Sequence, residues 1–398
     1  MSYQQSLFQK ISKFWATISR KYSPKGNIPV ENPKGNFQLE KYIQIDDLLH
    51  FTTQFPDLPS ARGYIDSLHP QVEEGNSLRI SGWLTLPDRP MDSIEVYIEG
   101  RYIATYALQL RQDVQDAFAW IPYALRSGFE FSLPLMDFDG KRITKINLIC
   151  CWQGHQIARL SSLISADIDR FPTPPEDYAY RVVHTRDLHF FKVGAIKTFG
   201  EFMEAACRYT DFRSVKRILD WGCGCGRVTV HFLSIVDGPE VFGCDIDPFA
   251  VDWSNNNIQS GTFSVLTPMP PSPYPDNFFD VIFSYSVFTH LTRDVQHAWL
   301  AEMQRLLTPR GLFVATIHGE FALKFAMQSM HPSFPNDGII DTFLDPTLDG
   351  IAPDNYYRGT FQTKEYTLRE FGKYFDIVEY IERGATNFQD LLIMRKKE

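Results

Sequence analysis

The chain of 398 residues has few cysteines, no excess of positive charge and no long apolar run near its start. Its six cysteines are too few and too irregularly placed for the disulfide framework of a small secreted protein, so reduced thiols are expected. The formal net charge of −9 argues against nucleic acid as a partner. Because the N-terminus lacks the continuous apolar segment of a signal peptide or a membrane span, a cytoplasmic location is expected.

Two patterns typical of ligand sites are also missing. Cys223 and Cys225 lie in a glycine turn without the second Cys or His pair that a zinc site needs, so no metal is expected. A dinucleotide fingerprint that starts at Gly222 would need glycine at position 227, where the chain has Arg227. These absences argue against a zinc site and against an NAD-dependent oxidoreductase.

The most informative stretch is residues 217–226, which read RILDWGCGCG. An apolar predicted strand ends at Asp220, and glycines follow at the alternate positions 222, 224 and 226. Because glycine has no Cβ, this turn lets backbone N–H groups approach a ligand, and the helix N-terminus that follows carries a partial positive charge. Asp220 favours a ligand with a positively charged amine, so the turn predicts an amino-acid-like ligand.

The C-terminal half alternates between predicted strands and helices, as a doubly wound α/β sheet requires. Seven strands are predicted, at 216–220, 241–245, 262–266, 279–285, 311–317, 374–382 and 388–396. Asp245 ends the second of them, where open sheets of this kind place an acid that accepts hydrogen bonds from a ribose. Asp220 and Asp245 are thus separated by one βα unit.

Further motifs accompany the glycine turn along the chain: ILDWGCGCGRV, GCDIDP, SYSVFTHL, WLAEMQRLLTPRGLFVATIHG and NFQDLLIMRKK. Together these motifs resemble the class I S-adenosylmethionine-dependent methyltransferases, over roughly residues 172–398. The resemblance implies a Rossmann-like sheet of seven strands that ends in an antiparallel hairpin. It also implies methyltransferase activity, with S-adenosyl-L-methionine as the cofactor.

The resemblance assigns candidate contacts to the cofactor. Arg181 is expected to hold the methionine carboxylate, and a surface ion pair with Glu176 or Asp177 is the alternative. Ile246 is expected to lie against the adenine face, and Asp247 is predicted to cap a helix. The full set of cofactor-binding candidates is Arg181, Asp220, Gly222, Cys223, Gly224, Gly226, Asp245, Ile246 and Ser286.

The end of the fourth predicted strand, residues 284–291, is expected to reach the transferred methyl group, because ligands of open sheets bind beyond the carboxyl ends of the strands. Methyl transfer from a sulfonium is an in-line displacement in which the enzyme mainly aligns the reactants. For a hydroxyl acceptor a neutral histidine takes the proton, and His290 is the first candidate and His318 the second. The alternative for His290 is to anchor the helix predicted to start at Thr292.

Residues 318–365 form a long predicted insertion that is rich in phenylalanine and tyrosine. Loops of this length are uncommon unless they are functional, so the insertion is predicted to form the wall or lid of the acceptor site. Its aromatic side chains suit a flat or sugar-like acceptor and equally suit core packing.

Period-two runs in the N-terminal half, such as Ile94, Val96 and Ile98, predict an antiparallel β-sandwich. Its aromatic residues either fill the core or stack on sugar rings. The first 21 residues have helical apolar spacing with basic and no acidic side chains, which suits docking on the protein body or peripheral contact with an anionic membrane. The predicted domains are 1–61 (amphipathic helix and connector), 62–165 (β-sandwich) and 166–398 (methyltransferase).

The sequence therefore predicts a methyltransferase that acts on an oxygen or nitrogen of a glycan, a lipid-linked or a specialised small-molecule acceptor. Two alternatives stay open. One is a non-catalytic binding protein that works through the β-sandwich, and the other is an NAD-dependent oxidoreductase.

Overall fold

A computed structural model describes residues 41, 43–44, 58, 61–71, 77–119, 121–134, 143–165, 168, 171–258, 260–327 and 333–397. The amphipathic helix predicted within residues 1–21 lies outside the described residues, as does most of the connector that follows it. Among the helices that are described, none combines the length and the apolar character needed to cross a membrane.

The N-terminal half forms two antiparallel sheets of four strands each. The first sheet has the order β1-β2-β6-β5 and comprises β1 (Arg62–Gln71), β2 (Ser77–Thr85), β5 (Gln109–Leu110) and β6 (Arg126–Pro134). The second has the order β4-β3-β7-β8 and comprises β3 (Ser93–Ile98), β4 (Arg101–Ala107), β7 (Ile143–Trp152) and β8 (His155–Ser165). A short helix, α1 (Gln112–Ala117), connects β5 to β6.

Alternating burial explains why these segments form strands. In β3 the apolar residues Ile94, Val96 and Ile98 are buried, while the residues between them are partly exposed. This period of two places one face of the strand in the core. Tyr106 of β4 stacks on Phe131 of β6 with ring centroids 4.7 Å apart, so the two sheets contact each other through their side chains. The predicted antiparallel β domain is confirmed as two antiparallel sheets.

The C-terminal half contains a seven-stranded sheet in the order β11-β10-β9-β12-β13-β17-β16. Its strands are β9 (Arg217–Trp221), β10 (Glu240–Asp245), β11 (Thr262–Val265), β12 (Phe279–Ser284), β13 (Leu307–Ile317), β16 (Phe375–Ala385) and β17 (Gln389–Lys396). Strand β17 is antiparallel to both of its neighbours. This arrangement confirms the predicted doubly wound sheet and its terminal antiparallel hairpin.

Helices cover this sheet, and a smaller hairpin is inserted before its last two strands. The helices are α2 (Glu176–Val183), α3 (Leu188–Cys207), α4 (Thr229–Leu233), α5 (Pro248–Asn257), α6 (Arg293–Leu306), α7 (Glu320–Met327) and α8 (Lys364–Phe371). The inserted hairpin pairs β14 (Ile339–Leu344) with β15 (Arg358–Gln362). Asp247 caps α5 as predicted, because its side chain accepts hydrogen bonds from the N–H groups of Phe249 and Ala250.

Strand β1 joins the two halves of the molecule. Asn387, in the turn between β16 and β17, donates a hydrogen bond of 2.7 Å from its Nδ2 to the Gly63 carbonyl. Next to it, Tyr64 stacks on Phe190 of α3 with ring centroids 5.5 Å apart. The first sheet therefore packs directly against the helices and loops of the seven-stranded sheet. The domain boundaries themselves, 61/62 and 165/166, stay a prediction.

Phe283 lies at the centre of an aromatic cluster on one face of the seven-stranded sheet. It is fully buried in β12, and its ring stacks on Phe202 of α3 and on Phe232 of α4 at centroid distances of 5.3 and 4.6 Å. A third ring, Phe212, lies 6.4 Å from it. This cluster packs two helices onto the strand that leads into the candidate site.

Phe283→Ala is expected to lower the free energy of unfolding by about 3–5 kcal/mol, because it removes a buried ring and leaves a cavity. Denaturant titration followed by circular dichroism measures the change. Leu368→Ala is the control, since Leu368 is 42% exposed on α8, and it should shift the value by less than about 0.5 kcal/mol. Equal effects of the two substitutions would contradict a central role for the cluster.

Candidate active site

A cavity of about 200 Å³ opens at the carboxyl ends of the central strands. This is the edge at which open α/β sheets bind ligands. Most of the predicted site residues line it: Arg181, Gly222, Gly224, Asp245, Ile246, Ser286, His290 and His318. Three others, Asp220, Cys223 and Gly226, do not line it. The cavity therefore brings both candidate catalytic histidines into the same space as most of the candidate cofactor contacts.

The glycine turn between β9 and α4 has a backbone that only glycine adopts freely. Gly222, Gly224 and Gly226 have φ angles of +79°, +53° and +72°. A Cβ added at Gly222 would lie 2.2 Å from Cγ2 of Val287, which packs against the glycine. Conformation and space thus both require glycine at position 222.

Asp245 lies at the end of β10 and holds the turn in place. One of its carboxylate oxygens accepts a hydrogen bond of 2.7 Å from the Gly224 N–H, and the other accepts one of 2.9 Å from the Asp247 N–H. Burial raises the pKa of Asp245 to about 6. Since a carboxylate has about four acceptor sites, two backbone donors leave room for ribose hydroxyls.

Asp220 lies behind the turn rather than in the cavity wall. It is 4% exposed, and one oxygen accepts a hydrogen bond of 2.6 Å from the Thr229 hydroxyl. Burial raises its pKa to about 6. Its neighbour Trp221 lines the cavity instead, because successive side chains of a strand point to opposite faces. The sequence predicts an acid at the end of this strand, but no feature of the sequence shows on which face of the sheet its side chain lies.

His290 lies in a 3₁₀ turn, Phe288–His290, after β12. Its Nδ1 lies 2.9 Å from the Arg358 carbonyl of β15 and 3.5 Å from Oδ2 of Asp345. The imidazole stacks on the Tyr357 ring with centroids 4.1 Å apart. The side chain therefore contacts β15 and the residues around it, and it does not cap α6.

Burial makes both histidines neutral. It lowers the pKa of His290 to about 4 and that of His318 to about 3. Because a carbonyl oxygen only accepts, the Nδ1 of His290 carries the proton and Nε2 carries the lone pair. His318 stacks on Phe361 and lies 6.3 Å from His290, measured between ring centroids.

Ser286 is fixed by a small polar network above β13. Its N–H donates to the Thr316 hydroxyl at 2.8 Å, and its own hydroxyl accepts from Nε2 of Gln389 at 2.8 Å. Gln389 in turn accepts from Thr316 at 2.6 Å. Ser286 has a φ of +62°, an uncommon conformation for a residue with a side chain. These bonds hold it in that conformation at the cavity edge.

The predicted wall of the acceptor site, residues 318–365, contributes four residues to the cavity: His318, Leu348, Tyr356 and Tyr357. The Tyr356 hydroxyl donates to the Pro268 carbonyl at 2.5 Å, and the indole N–H of Trp299 donates to the same oxygen at 3.0 Å. The residues before β15 are thereby tied to the loop that follows β11.

Comparison with known proteins supports this geometry. A family model described as a methyltransferase domain matches residues 219–315. The match runs from β9 to β13, so it includes the glycine turn, Asp245 and His290. This region is therefore similar to methyltransferase domains, in agreement with the resemblance found in the sequence. The match supports S-adenosylmethionine, the predicted cofactor.

Individual relatives of the methyltransferase domain are distant. An uncharacterized methyltransferase of Schizosaccharomyces pombe is 32% identical over 110 residues, which cover 25% of this chain and 38% of that protein. The chain thus spans less than half the length of that relative. Similar solved structures include S-adenosylmethionine-dependent methyltransferases from Methanosarcina mazei (TM-score 0.37, 20% identity, 48% of this chain and 96% of that one) and Clostridium acetobutylicum (TM-score 0.38, 12% identity, 51% and 92%).

The methyltransferase domain presents two arginines to its cavity, and they differ in their partners. Arg181 of α2 forms a salt bridge of 2.7 Å with Oδ2 of Asp247. The alternative partners named from the sequence are not used, since Asp177 pairs with Arg186. The charge of Arg181 is therefore already balanced within the protein.

Arg227 follows the third glycine of the turn and is only 6% exposed. Its guanidinium carbon lies 5.2 Å from the Tyr285 ring centroid and 5.9 Å from that of Phe191. In the described part of the chain it forms no salt bridge. Asp220 interacts with its charge but does not pair with it, and a buried cation without a salt bridge is costly, so Arg227 is a natural partner for an anionic ligand group. In the sequence Arg227 stands out only as a departure from the dinucleotide pattern. No local pattern indicates that its side chain is buried beside the cavity.

Gly222→Ala is expected to weaken binding of S-adenosylhomocysteine at least about 10-fold, equivalent to about 1.4 kcal/mol, in isothermal titration calorimetry. The added Cβ would meet Val287 at 2.2 Å, so either Val287 or the turn, both of which line the cavity, has to shift. Gly154→Ala is the matched control: its φ of +80° is almost the same, but no atom lies within 4 Å of the added Cβ. A similar loss of affinity in both variants would show that backbone strain, and not the turn, is responsible.

Proposed function

We propose that the chain is a methyltransferase that transfers the methyl group of S-adenosylmethionine to an oxygen or nitrogen of a glycan, a lipid-linked or a specialised small-molecule acceptor. The observation that carries this proposal is the single cavity shared by the glycine turn, Asp245 and two neutral histidines. A cofactor site and candidate bases in one space are what group transfer requires.

Two features of the cavity fit the cofactor. Gly222 and Gly224 line the cavity with backbone alone, so their N–H groups are not screened from a ligand by a side chain. Arg227 supplies a buried cation that forms no salt bridge within the described residues. We assign the ribose to Asp245, the adenine to Ile246 and Leu266, and the methionine carboxylate to Arg227. When bound, the cofactor supplies an electrophilic methyl group on a sulfonium.

His290 is the proposed general base for a hydroxyl acceptor. Its Nδ1 is held by the Arg358 carbonyl at 2.9 Å, which fixes the ring and leaves the lone pair on Nε2. In this role Nε2 would accept the hydroxyl proton as the acceptor oxygen takes the methyl group that the bound cofactor would supply, with S-adenosylhomocysteine as the leaving group. Asp345, 3.5 Å from Nδ1, stabilises the imidazolium that results.

The other walls of the cavity support an acceptor with flat or ring-shaped parts. Tyr64, Phe190, Tyr357 and Phe388 all line it. Such faces stack on planar groups and on the apolar faces of sugars. Tyr64 belongs to β1, so the N-terminal sheets contribute to the proposed acceptor site.

The direct test incubates the full chain with S-adenosylmethionine labelled at the methyl group and with fractionated cell extract, and identifies the labelled product by mass spectrometry. A labelled small molecule or glycan is the expected outcome. Binding of S-adenosylhomocysteine without transfer to any fraction would favour a non-catalytic binding protein. Binding of NADH in its place would favour an oxidoreductase.

Arg227→Gln is expected to weaken binding of S-adenosylhomocysteine about 10- to 100-fold, because a hydrogen bond to a charged group is worth about 1.5–3 kcal/mol. Arg181→Gln is the matched control, and it should cost less than about 3-fold because the charge of Arg181 is balanced by Asp247. Calorimetry with both variants decides between the two arginines. A larger loss of affinity in Arg181→Gln than in Arg227→Gln would assign the methionine carboxylate to Arg181 instead.

His290→Gln is expected to lower kcat for a hydroxyl acceptor about 10²- to 10⁴-fold while leaving S-adenosylhomocysteine affinity unchanged. Since the base must be neutral and its pKa is lowered to about 4, wild-type activity should persist below pH 6 and fall only as the pH approaches 4. His297→Gln, at a partly exposed histidine beside Glu370, is the control. Two results would show that His290 is not the general base: a loss of wild-type activity centred at about pH 6.5, the ordinary histidine pKa, or full turnover by His290→Gln.

A further inference from the structure

Two arginines from opposite halves of the molecule converge on one aromatic ring. Arg62 begins β1, Arg383 lies in β16, and Phe321 lies in α7. The guanidinium carbons of Arg62 and Arg383 lie 5.0 and 5.4 Å from the centroid of the Phe321 ring. The sequence gives no hint of this arrangement, because more than 300 positions separate the two arginines.

Neither guanidinium has a hydrogen bond or a salt bridge to any residue in the described ranges. The Nε of Arg62 is buried and has no hydrogen-bond partner. The neighbouring acids are used elsewhere: Asp88 pairs with Arg89, Glu382 pairs with Lys364, and Asp390 accepts from the Tyr380 hydroxyl and a backbone N–H. Asp88, Glu382 and Asp390 are close enough to attract the two cations, but none of these acids forms a salt bridge with either guanidinium.

The two charges repel each other. Burial and the charge of Arg383 lower the pKa of Arg62 to about 10, and burial also lowers the pKa of Arg383. Contact with the face of Phe321 offsets part of this cost, since a cation over an aromatic ring is attracted to it. An anion placed between the guanidinium groups would offset the rest.

The geometry points to an oxyanion-binding site, and we propose that Arg62 and Arg383 bind a phosphoryl group. Each guanidinium presents several N–H donors in a planar fork. Two forks from different strands suit the several oxygens of one phosphoryl group, whereas a carboxylate is satisfied by a single fork.

The site lies next to the methyl-transfer cavity. The Phe321 ring meets Phe388 edge-on at a centroid distance of 6.2 Å, and Phe388 lines the cavity. We therefore assign the phosphoryl group to the acceptor, an assignment that rests on the proposed methyl transfer. The oxyanion site itself does not depend on that function.

The first test titrates inorganic phosphate into the full chain by calorimetry, with chloride at matched ionic strength as the reference. Saturable binding of phosphate is expected, with at least 10-fold weaker binding in Arg62→Gln and in Arg383→Gln. Arg213→Gln is the control, because this arginine is exposed and paired with Asp211, and it should bind as the wild type does. Absence of saturable binding to the wild type, or equal binding to all variants, overturns the site.

Two further measurements distinguish a failure of the oxyanion site from a failure of the proposed methyl transfer. Arg383→Lys keeps the charge and loses the fork, so it should bind phosphate more strongly than Arg383→Gln and more weakly than the wild type. An affinity equal to that of Arg383→Gln would count against the site. S-adenosylhomocysteine affinity, measured on the same samples, should be unchanged in every variant if the cavity is intact. Phosphate binding without cofactor binding would overturn the proposed function and leave the oxyanion site standing.

Discussion

The candidate site depends on the hydrogen bonds that tie the glycine turn to the end of β10. The N–H groups of Gly222 and Cys223 both donate to the Cys244 carbonyl, at 2.8 and 3.1 Å, and the Gly224 N–H donates to the Asp245 carboxylate at 2.7 Å. The turn and the acid are therefore one structural unit. Because β9 and β10 are paired in parallel register, the position of this unit is set by the sheet and not by the loop itself. A substitution that moves the end of β10 moves the ligand contacts with it.

Burial has opposite effects on the acids and the histidines around this unit. It raises the pKa of Asp220 and Asp245 to about 6, and it lowers the pKa of His290 to about 4. Because the folded carboxyls hold protons more tightly than unfolded ones, their contribution to stability is present at low pH and is lost as the pH rises through about 6. The buried histidine contributes in the opposite sense, and its contribution is lost as the pH falls from about 6.5 towards 4. The charge of Arg227 acts against burial at Asp220, where it favours the ionised carboxylate.

Local signals predicted the sheet and most of the cavity, and contacts between distant residues account for what they missed. Period-two runs, alternating helices and the glycine spacing depend on neighbours in sequence, so the seven strands, the turn and the Asp247 cap could be predicted. The partner of Arg181 is 66 positions away, and the carbonyl that holds His290 is 68 positions away. Such pairings follow from the tertiary fold, and no local pattern encodes them. The tertiary fold also decides on which side of the sheet Asp220 lies. The sequence of a strand shows which residues share a face, but it does not show which face meets a ligand.

Strand β1 makes the N-terminal sheets part of the proposed acceptor site and not a separate attachment. Residues two apart on a strand share a face, and Arg62 and Tyr64 accordingly both turn towards the methyltransferase domain, where they meet Phe321 and Phe190. The carbonyl between them, at Gly63, accepts the hydrogen bond from Asn387 that fixes the strand in place. Removal of the N-terminal sheets would therefore uncover Phe190 and open the cavity. Such a deletion is expected to reduce activity through this structural damage alone, whether or not the sheets bind a glycan. Recognition of a glycan by these sheets therefore has to be tested by point substitutions that leave β1 intact.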